Sequence, residues 1–307
     1  MTELSHVLCA VDFSEPAQVA FTRALALCAE QGAHLTVVHA VPLDQRFRER
    51  GRDRMNAQSR LQRLAERKGV KLRVRVQQGE PAGVILLHAN ARPFDLLVIG
   101  SHRRTGWERF RLGSVAERVV QQVACPVLIV AALEGNGRRP VAGTVTSIVC
   151  PMDFTRASTA AVANALSIVN ATGSRLTLLH VLQALSSSSR SRFARDFVTP
   201  ENRHRLTEGV RRRMEAALPP DVRDSTTVQT RVATGKPSDA IVRVVTAVEG
   251  DLVIMGVTAR GALGRRFIGS TAARVMGRTG CAVLAVPELT HARSRRLRQR
   301  TADSRRG

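Results

Sequence analysis

The sequence predicts an α/β protein built from two doubly wound, five-stranded parallel sheets in tandem. Three observations lead there: the 307-residue chain carries one set of landmarks twice, each copy alternates strand-like with helix-like segments, and many strand segments are apolar throughout. Cys9 and Cys150, Asp12 and Asp153, and His39 and His180 are separated by 141 positions. Gly79 and Gly235, Pro81 and Pro237, Gly100 and Gly256, Gly113 and Gly269, Ser114 and Ser270, and Cys125 and Cys281 are separated by 156. The second half therefore holds an insertion of 15 residues between His180 and Gly235. Ser186 to Arg192 (SSSSRSR) has the polar, low-complexity composition of a loop there.

In the first half, HVLCAV (6–11) is a buried-strand run. Ser14 then stands where a helix N-cap belongs, ahead of an apolar stripe at Ala17, Phe21, Ala24, Leu25 and Cys28. LTVVHAV (35–41) is the second strand, and Ala57, Leu61 and Leu64 mark a helix whose other face is arginine-rich and solvated. LRVRV (72–76), a helix after Gly79-Glu80-Pro81, DLLVIG (95–100), a helix from Gly113 or Ser114, and PVLIV (126–130) complete the half. The second half repeats the series with SIVCPM, LTLLHVL, a stripe at Leu206, Val210, Met214 and Ala217, DLVIMG and AVLAV. Strands apolar on both faces belong to parallel sheets covered by helices on each side. Such sheets bind ligands beyond the carboxyl ends of their strands, at a switch point, which directs attention to Asp12, Ala40, the segment Gly100 to Ser114, and their repeats. The expected boundaries are 1–133, a Gly/Pro-rich linker at 134–144, 145–288 with a flexible insertion at about 183–200, and a disordered basic tail at 289–307.

Composition narrows the class. No apolar run approaches the roughly 18 residues of a membrane span, and Met1 to Val11 lacks a basic segment ahead of an apolar one, so a cytoplasmic protein is expected. The five cysteines show no C-x-x-C pair; Cys9, Cys125, Cys150 and Cys281 fall in apolar strand-like runs, as small hydrophobes do. Lys and Arg total 47 against 25 Asp and Glu, a net charge of +22, and only Lys68, Lys71 and Lys236 are lysines. Such a balance attracts phosphate-rich partners, but 3% aromatic content supplies few platforms for stacking bases. There is no G-x-x-x-x-G-K-[ST] loop, G-x-G-x-x-G turn, H-E-x-x-H or G-x-S-x-G elbow, so a conventional hydrolase or kinase lacks its parts.

GSHRRTGWERFRLGSVAERVVQQVACPVLIV (100–130) and GVTARGALGRRFIGSTAARVMGRTGCAVLAV (256–286) resemble the C-terminal signature of universal stress protein domains. So do the Asp after the first strand, HAV or HVL closing the second, and G-x-P-A or G-x-P-S before the third helix. The resemblance implies the adenine-nucleotide alpha-hydrolase-like fold, with strand order 3-2-1-4-5, and domains that pair through their last strands. A tandem chain forms that pairing internally, PVLIV against AVLAV, with a homodimer as a further possibility. It also implies a pocket for ATP, with magnesium arriving only with the nucleotide. In the first half that pocket would use Ala10, Asp12, Ala40, Gly100, Arg103, Gly113, Ser114 and Val115. In the second it would use Asp153, Val181, Gly256, Ala259, Gly269, Ser270 and Thr271.

The family's phosphate grip runs Gly-x-x-Gly, nine residues, then Gly-Ser or Gly-Thr: bare backbone lets amides approach phosphate, and the following helix N-terminus offers unpaired N–H groups. Both halves keep the spacing and both replace the second glycine, with Arg103 and Ala259. Competing readings attach to the same residues. Asp12 and Asp153 suit ribose contact or helix capping, Ser114 with Glu117 forms a capping-box pattern (S-V-A-E), and His39 and His180 suit hydrogen-bonded packing, a metal ligand or a base. The first functional expectation is a stress-response nucleotide sensor or adaptor whose movable element is the arginine-rich loop from His102 to Leu112. The alternative is a protein that binds nucleic acid or other polyanions through that loop and the tail. ATP hydrolysis ranks last, with no catalytic residue or metal site assigned.

Overall fold

The structure, a computed structural model, describes residues 4–41, 50–101, 112–131, 145–183, 200–223, 225–258 and 268–288. Arg103, Ala259, most of the arginine-rich loop, the linker, the serine-rich insertion and the tail lie outside the described residues. The first half runs β1 (His6–Ala10), α1 (Glu15–Gln31), β2 (His34–Val41), α2 (Arg50–Arg67), β3 (Leu72–Gln78), α3 (Pro81–Ala91), β4 (Leu96–Ser101), α4 (Ser114–Gln122) and β5 (Val127–Ala131). The second runs β6 (Ser147–Pro151), α5 (Arg156–Thr172), β7 (Arg175–Leu182), α6 (Pro200–Ala216), a short α7 (Pro220–Arg223), β8 (Val228–Thr234), α8 (Pro237–Ala247), β9 (Leu252–Val257), α9 (Ser270–Arg278) and β10 (Ala282–Pro287).

The strands lie in the order β3-β2-β1-β4-β5-β10-β9-β6-β7-β8. Each half is thus a parallel sheet in the expected 3-2-1-4-5 order, and the two join edge to edge into one ten-stranded sheet. The seam is the sole antiparallel step among the described strand pairs, β5 on β10, with Leu128 opposite Leu284 and Ile129 opposite Val283. Its antiparallel sense points the strand ends of the two halves in opposite directions, so the two crevices beyond them open at opposite ends of the sheet.

Two apolar layers, one per sheet face, each run through both halves. One takes the inward faces of α1, α2, α5 and α6; the other those of α3, α4, α8 and α9. Val7, Leu8, Cys9, Ile148, Val149 and Cys150 show why the strand runs read as uninterrupted: consecutive side chains are fully buried, alternately in the two layers. In the arginine-rich helices Leu61, Val210 and Met214 face the core as expected, but the position after Leu61 and after Met214 falls one residue later. Leu61 and Ala65 are buried while Leu64 is exposed, and Met214 and Leu218 are buried while Leu206 and Ala217 are exposed. Both pairs use i,i+4 spacing, which the sparse apolar content of these helices left ambiguous.

Candidate functional site

The crevice of each half lies where β1 and β4, or β6 and β9, end side by side. Its first wall is the turn into α1. Val11 extends the sheet by donating its amide to Val38 O (2.9 Å), and the chain then reverses through Asp12, Phe13 and Ser14. Phe13 adopts φ 64°, a left-handed conformation that costs an aromatic residue on the order of 1–2 kcal/mol. His39 holds it there. The imidazole Nδ1–H donates to Val11 O at 2.7 Å, and the ring lies 4.7 Å from the Phe13 ring. The second half repeats the device: Phe154 has φ 62°, His180 Nδ1 donates to Met152 O at 2.7 Å, and the two rings lie 5.1 Å apart. Half-buried and hydrogen-bonded, the two histidines brace the turn, and the described residues hold no cluster of three or more His, Cys, Asp or Glu placed to hold a metal.

The aspartates of the two turns are exposed. Asp12 Oδ1 accepts from the amide of Ser14 at 3.0 Å and from its hydroxyl at 2.5 Å. Ser14 does occupy the N-cap of α1, but its hydroxyl is spent on Asp12 and caps no helix amide. Thr155 of the second half donates to Asp153 and also accepts from Ser158 N, so α5 is capped where α1 is not. Loss of some hydration disfavours the charge on Asp153, but hydrogen bonds from Thr155 and Ser158 outweigh it and hold the carboxyl below its ordinary range.

The second wall is the end of β4 with the start of α4. Here the glycines separate into two kinds. A Cβ on Gly100 would lie 2.5 Å from the carbonyl carbon of Pro16, and one on Gly256 2.3 Å from that of Ala157. The first turns of α1 and α5 therefore ride directly on these strands, and packing alone requires glycine. Gly113 and Gly269 differ. They are the N-caps of α4 and α9, with φ −58° and −54°, open to any residue, and among the described residues nothing lies within 4 Å of a Cβ on either. Neither packing nor conformation calls for a bare backbone there. The capping box expected at Ser114 and Glu117 does not form. The helix starts with Ser114 inside its first turn, no side chain caps α4, and Glu117 accepts from Gln121 instead (3.5 Å). Ser270 and Thr271 sit equally inside the first turn of α9, also without a side-chain cap.

The helices bordering each crevice are tied differently in the two halves. Glu80 caps α3 through Ala82 N (3.0 Å) and Gly83 N (2.8 Å) and meets Arg118 of α4 at 2.9 Å. Desolvation works to raise its carboxyl pKa, but the capping bonds from Gly83 and Ala82 and then the charge of Arg118 outweigh it and lower the pKa. Lys236 replaces it in the repeat and caps nothing; there Asp239 of α8 pairs with Arg278 of α9. The strand ends differ too. Ala10 and Ala40 stand in the first half where Pro151 and Val181 stand in the second, all four buried or half-buried. Val115, at the second position of α4, is half-buried against the α3/α4 layer. Of the residues singled out from the sequence, those described fall at strand ends, turns and helix starts of the two crevices. The Phe13 and Phe154 turns were missed, although the repeated Asp-Phe-Ser and Asp-Phe-Thr carried the signal.

Comparison with known proteins agrees with this geometry. The universal stress protein family model matches twice, over residues 3–131 and 144–287. Universal stress protein YxiE of Bacillus subtilis is 32% identical over 145 residues, which are 41% of this chain and 98% of that protein. Universal stress protein MJ0531 of Methanocaldococcus jannaschii is 43% identical over 74 residues, 24% of this chain and less than half (44%) of that protein. The crystal structure of a universal stress protein from Archaeoglobus fulgidus covers 92% of this chain and 98% of its own, with a TM-score of 0.69 at 18% identity, a likeness of fold. Two consecutive family matches, each laid over one five-stranded half, place the chain in the universal stress protein family as a tandem of two such domains.

Proposed function

We propose that the chain is a stress-response protein that binds an adenine nucleotide, ATP with magnesium, beyond the strand ends of its halves, and acts as a sensor or adaptor. The observation that carries this reading is the pair Gly113 and Gly269. Among the described residues nothing packs where a side chain at either position would stand, whereas a phosphate set against the uncapped amides of α4 or α9 needs that space. Ser114, Ser270 and Thr271 would add hydroxyls beside the phosphates, and Asp12 or Asp153 would meet the nucleoside end. Ala10 and Ala40 leave more room at the strand ends than Pro151 and Val181, so the first crevice is the better candidate. A nucleotide bound there acts as a signal only by binding two conformations unequally.

Calorimetric titration of ATP and magnesium into the full chain, beside Gly113→Val and Gly269→Val, tests this. Saturable binding lost in Gly113→Val and kept in Gly269→Val supports the reading and places the pocket in the first half. Absence of saturable binding in the parent overturns it.

A further inference from the structure

Away from both crevices, the described surface gathers positive charge at the outer edge of the first half. β3 is the last strand of the sheet on that side, and Arg73 and Arg75 are exposed on it. Being two residues apart, they project from the same face, about 6.6 Å from each other along the strand. Gln77, next in that row, hydrogen bonds to Nε2 of His88 on α3 at 2.9 Å, so this is the face that α3 covers. Arg92 follows the last turn of α3. Its Nη2 donates to the Thr36 hydroxyl of β2 at 2.5 Å, and its guanidinium lies 4.7 Å from the centre of the Phe94 ring. A hydroxyl and a ring thus hold this cation in place beside the other two.

Among the described residues no acidic group pairs with these charges. β2, β3 and α3 contain no Asp or Glu, and among the described residues no ion pair involves Arg73, Arg75 or Arg92. The mutual repulsion is felt. Burial first, then Arg73 and Arg75, lowers the proton affinity of Arg92; burial first, then Arg75 and Arg92, lowers that of His88. The cluster is also no by-product of the fold. β8 pairs with β7 in the same register that β3 keeps with β2, Gln229 opposite Thr177 as Arg73 is opposite Thr36. There Gln229, Val244, Val248 and Gly250 stand in place of Arg73, His88, Arg92 and Phe94, leaving only Arg231 of the set.

We propose that this edge docks the sugar-phosphate backbone of a nucleic acid, Arg73 and Arg75 each taking a phosphate and the anchored Arg92 closing the track. Guanidinium forks suit phosphate oxygens, and cations spaced along a line match a chain of regularly spaced phosphates better than one isolated phosphate group. Val76, the exposed apolar residue between Arg75 and Gln77, points to the opposite face of the strand, so the row itself offers no apolar wedge to a bilayer. The surface is separate from both nucleotide crevices, so the proposal stands or falls independently of ATP binding.

The test is fluorescence anisotropy of a short labelled single-stranded DNA titrated with the full chain over a series of salt concentrations. The double variant Arg73→Gln/Arg75→Gln is compared with a charge-matched control, Arg212→Gln/Arg231→Gln, whose arginines are exposed in the second half. The expected result is a roughly tenfold loss of affinity in the first variant only. Its slope of log affinity against log salt should also fall by about 1.4, the equivalent of two single-strand phosphate contacts. Equal losses in both variants, or no loss in either, overturn the proposal. So does a first variant that binds DNA like the parent but loses binding to phosphatidylserine vesicles, which would make the edge a membrane surface.

Discussion

The carbonyl carbon of Pro16 occupies the space that a side chain on Gly100 would need, 2.5 Å from the missing Cβ. The obstacle is backbone, in the first turn of α1, and cannot rotate away. Gly100→Ala is therefore expected to destabilise the chain by about 2–3 kcal/mol in urea unfolding, and Gly256→Ala by a similar amount. Gly113→Ala, with open space around it, should cost about 1 kcal/mol or less while weakening nucleotide binding. Comparable stability losses at Gly100 and Gly113 would remove the distinction on which the proposed phosphate cradle rests.

The histidine braces predict a structural phenotype. His180→Ala removes a hydrogen bond that holds the left-handed turn at Phe154, and about 1–2 kcal/mol of stability should go with it. His39→Ala should behave alike through Phe13. The urea midpoint reads both effects, and an unchanged midpoint would show that the turns hold without their histidines.

Asp153 predicts an acid dependence. Its folded-state pKa lies below the unfolded value of about 3.9, so it contributes stability above that pH, and the contribution is lost as pH falls through the lower folded value. Asp153→Asn should thus be less stable than the parent near neutrality, and the two should converge in acid below about pH 4. A stability difference that persists unchanged to the lowest pH at which both remain folded would contradict the assignment.

Thiol chemistry should separate one cysteine from the other four. Burial pushes the thiols of Cys28 and Cys150 up to about 12 and that of Cys9 higher still, and Cys125 is buried as well. Cys281 is only partly buried. At mildly alkaline pH the folded chain should react with a thiol reagent at Cys281 first, and in urea at all five; rapid labelling of Cys9 or Cys150 in the native state would contradict the burial.

Much of the fold was legible because its strands are covered on both sides, which leaves uninterrupted apolar runs such as VLCAV and IVCPM in the sequence. The repeat then fixed the order of elements twice over, and the pairing of PVLIV with AVLAV appears as the seam. What stayed hidden was decided at short range. Gly100 and Gly113 look alike in a spacing pattern, and only the approach of Pro16 tells a packing glycine from one without a packing duty. Ser114 and Gly113 compete for one N-cap, a contest settled by backbone angles. Leu64 and Ala65 differ by one step around a helix with too few apolar residues to define its buried face.

The seam between β5 and β10 has an evolutionary corollary. Two copies of one single-domain chain that pair edge to edge are identical by construction, and their association dissolves on dilution. Joined in one polypeptide, the halves meet at a local concentration fixed by the chain itself, and each can change without losing its mate. The exchanges of Glu80 for Lys236, Ala40 for Val181 and Arg92 for Val248 are divergence of this kind. A tandem chain can thus specialise one half for a small ligand or a polyanion while the other serves as its permanent scaffold.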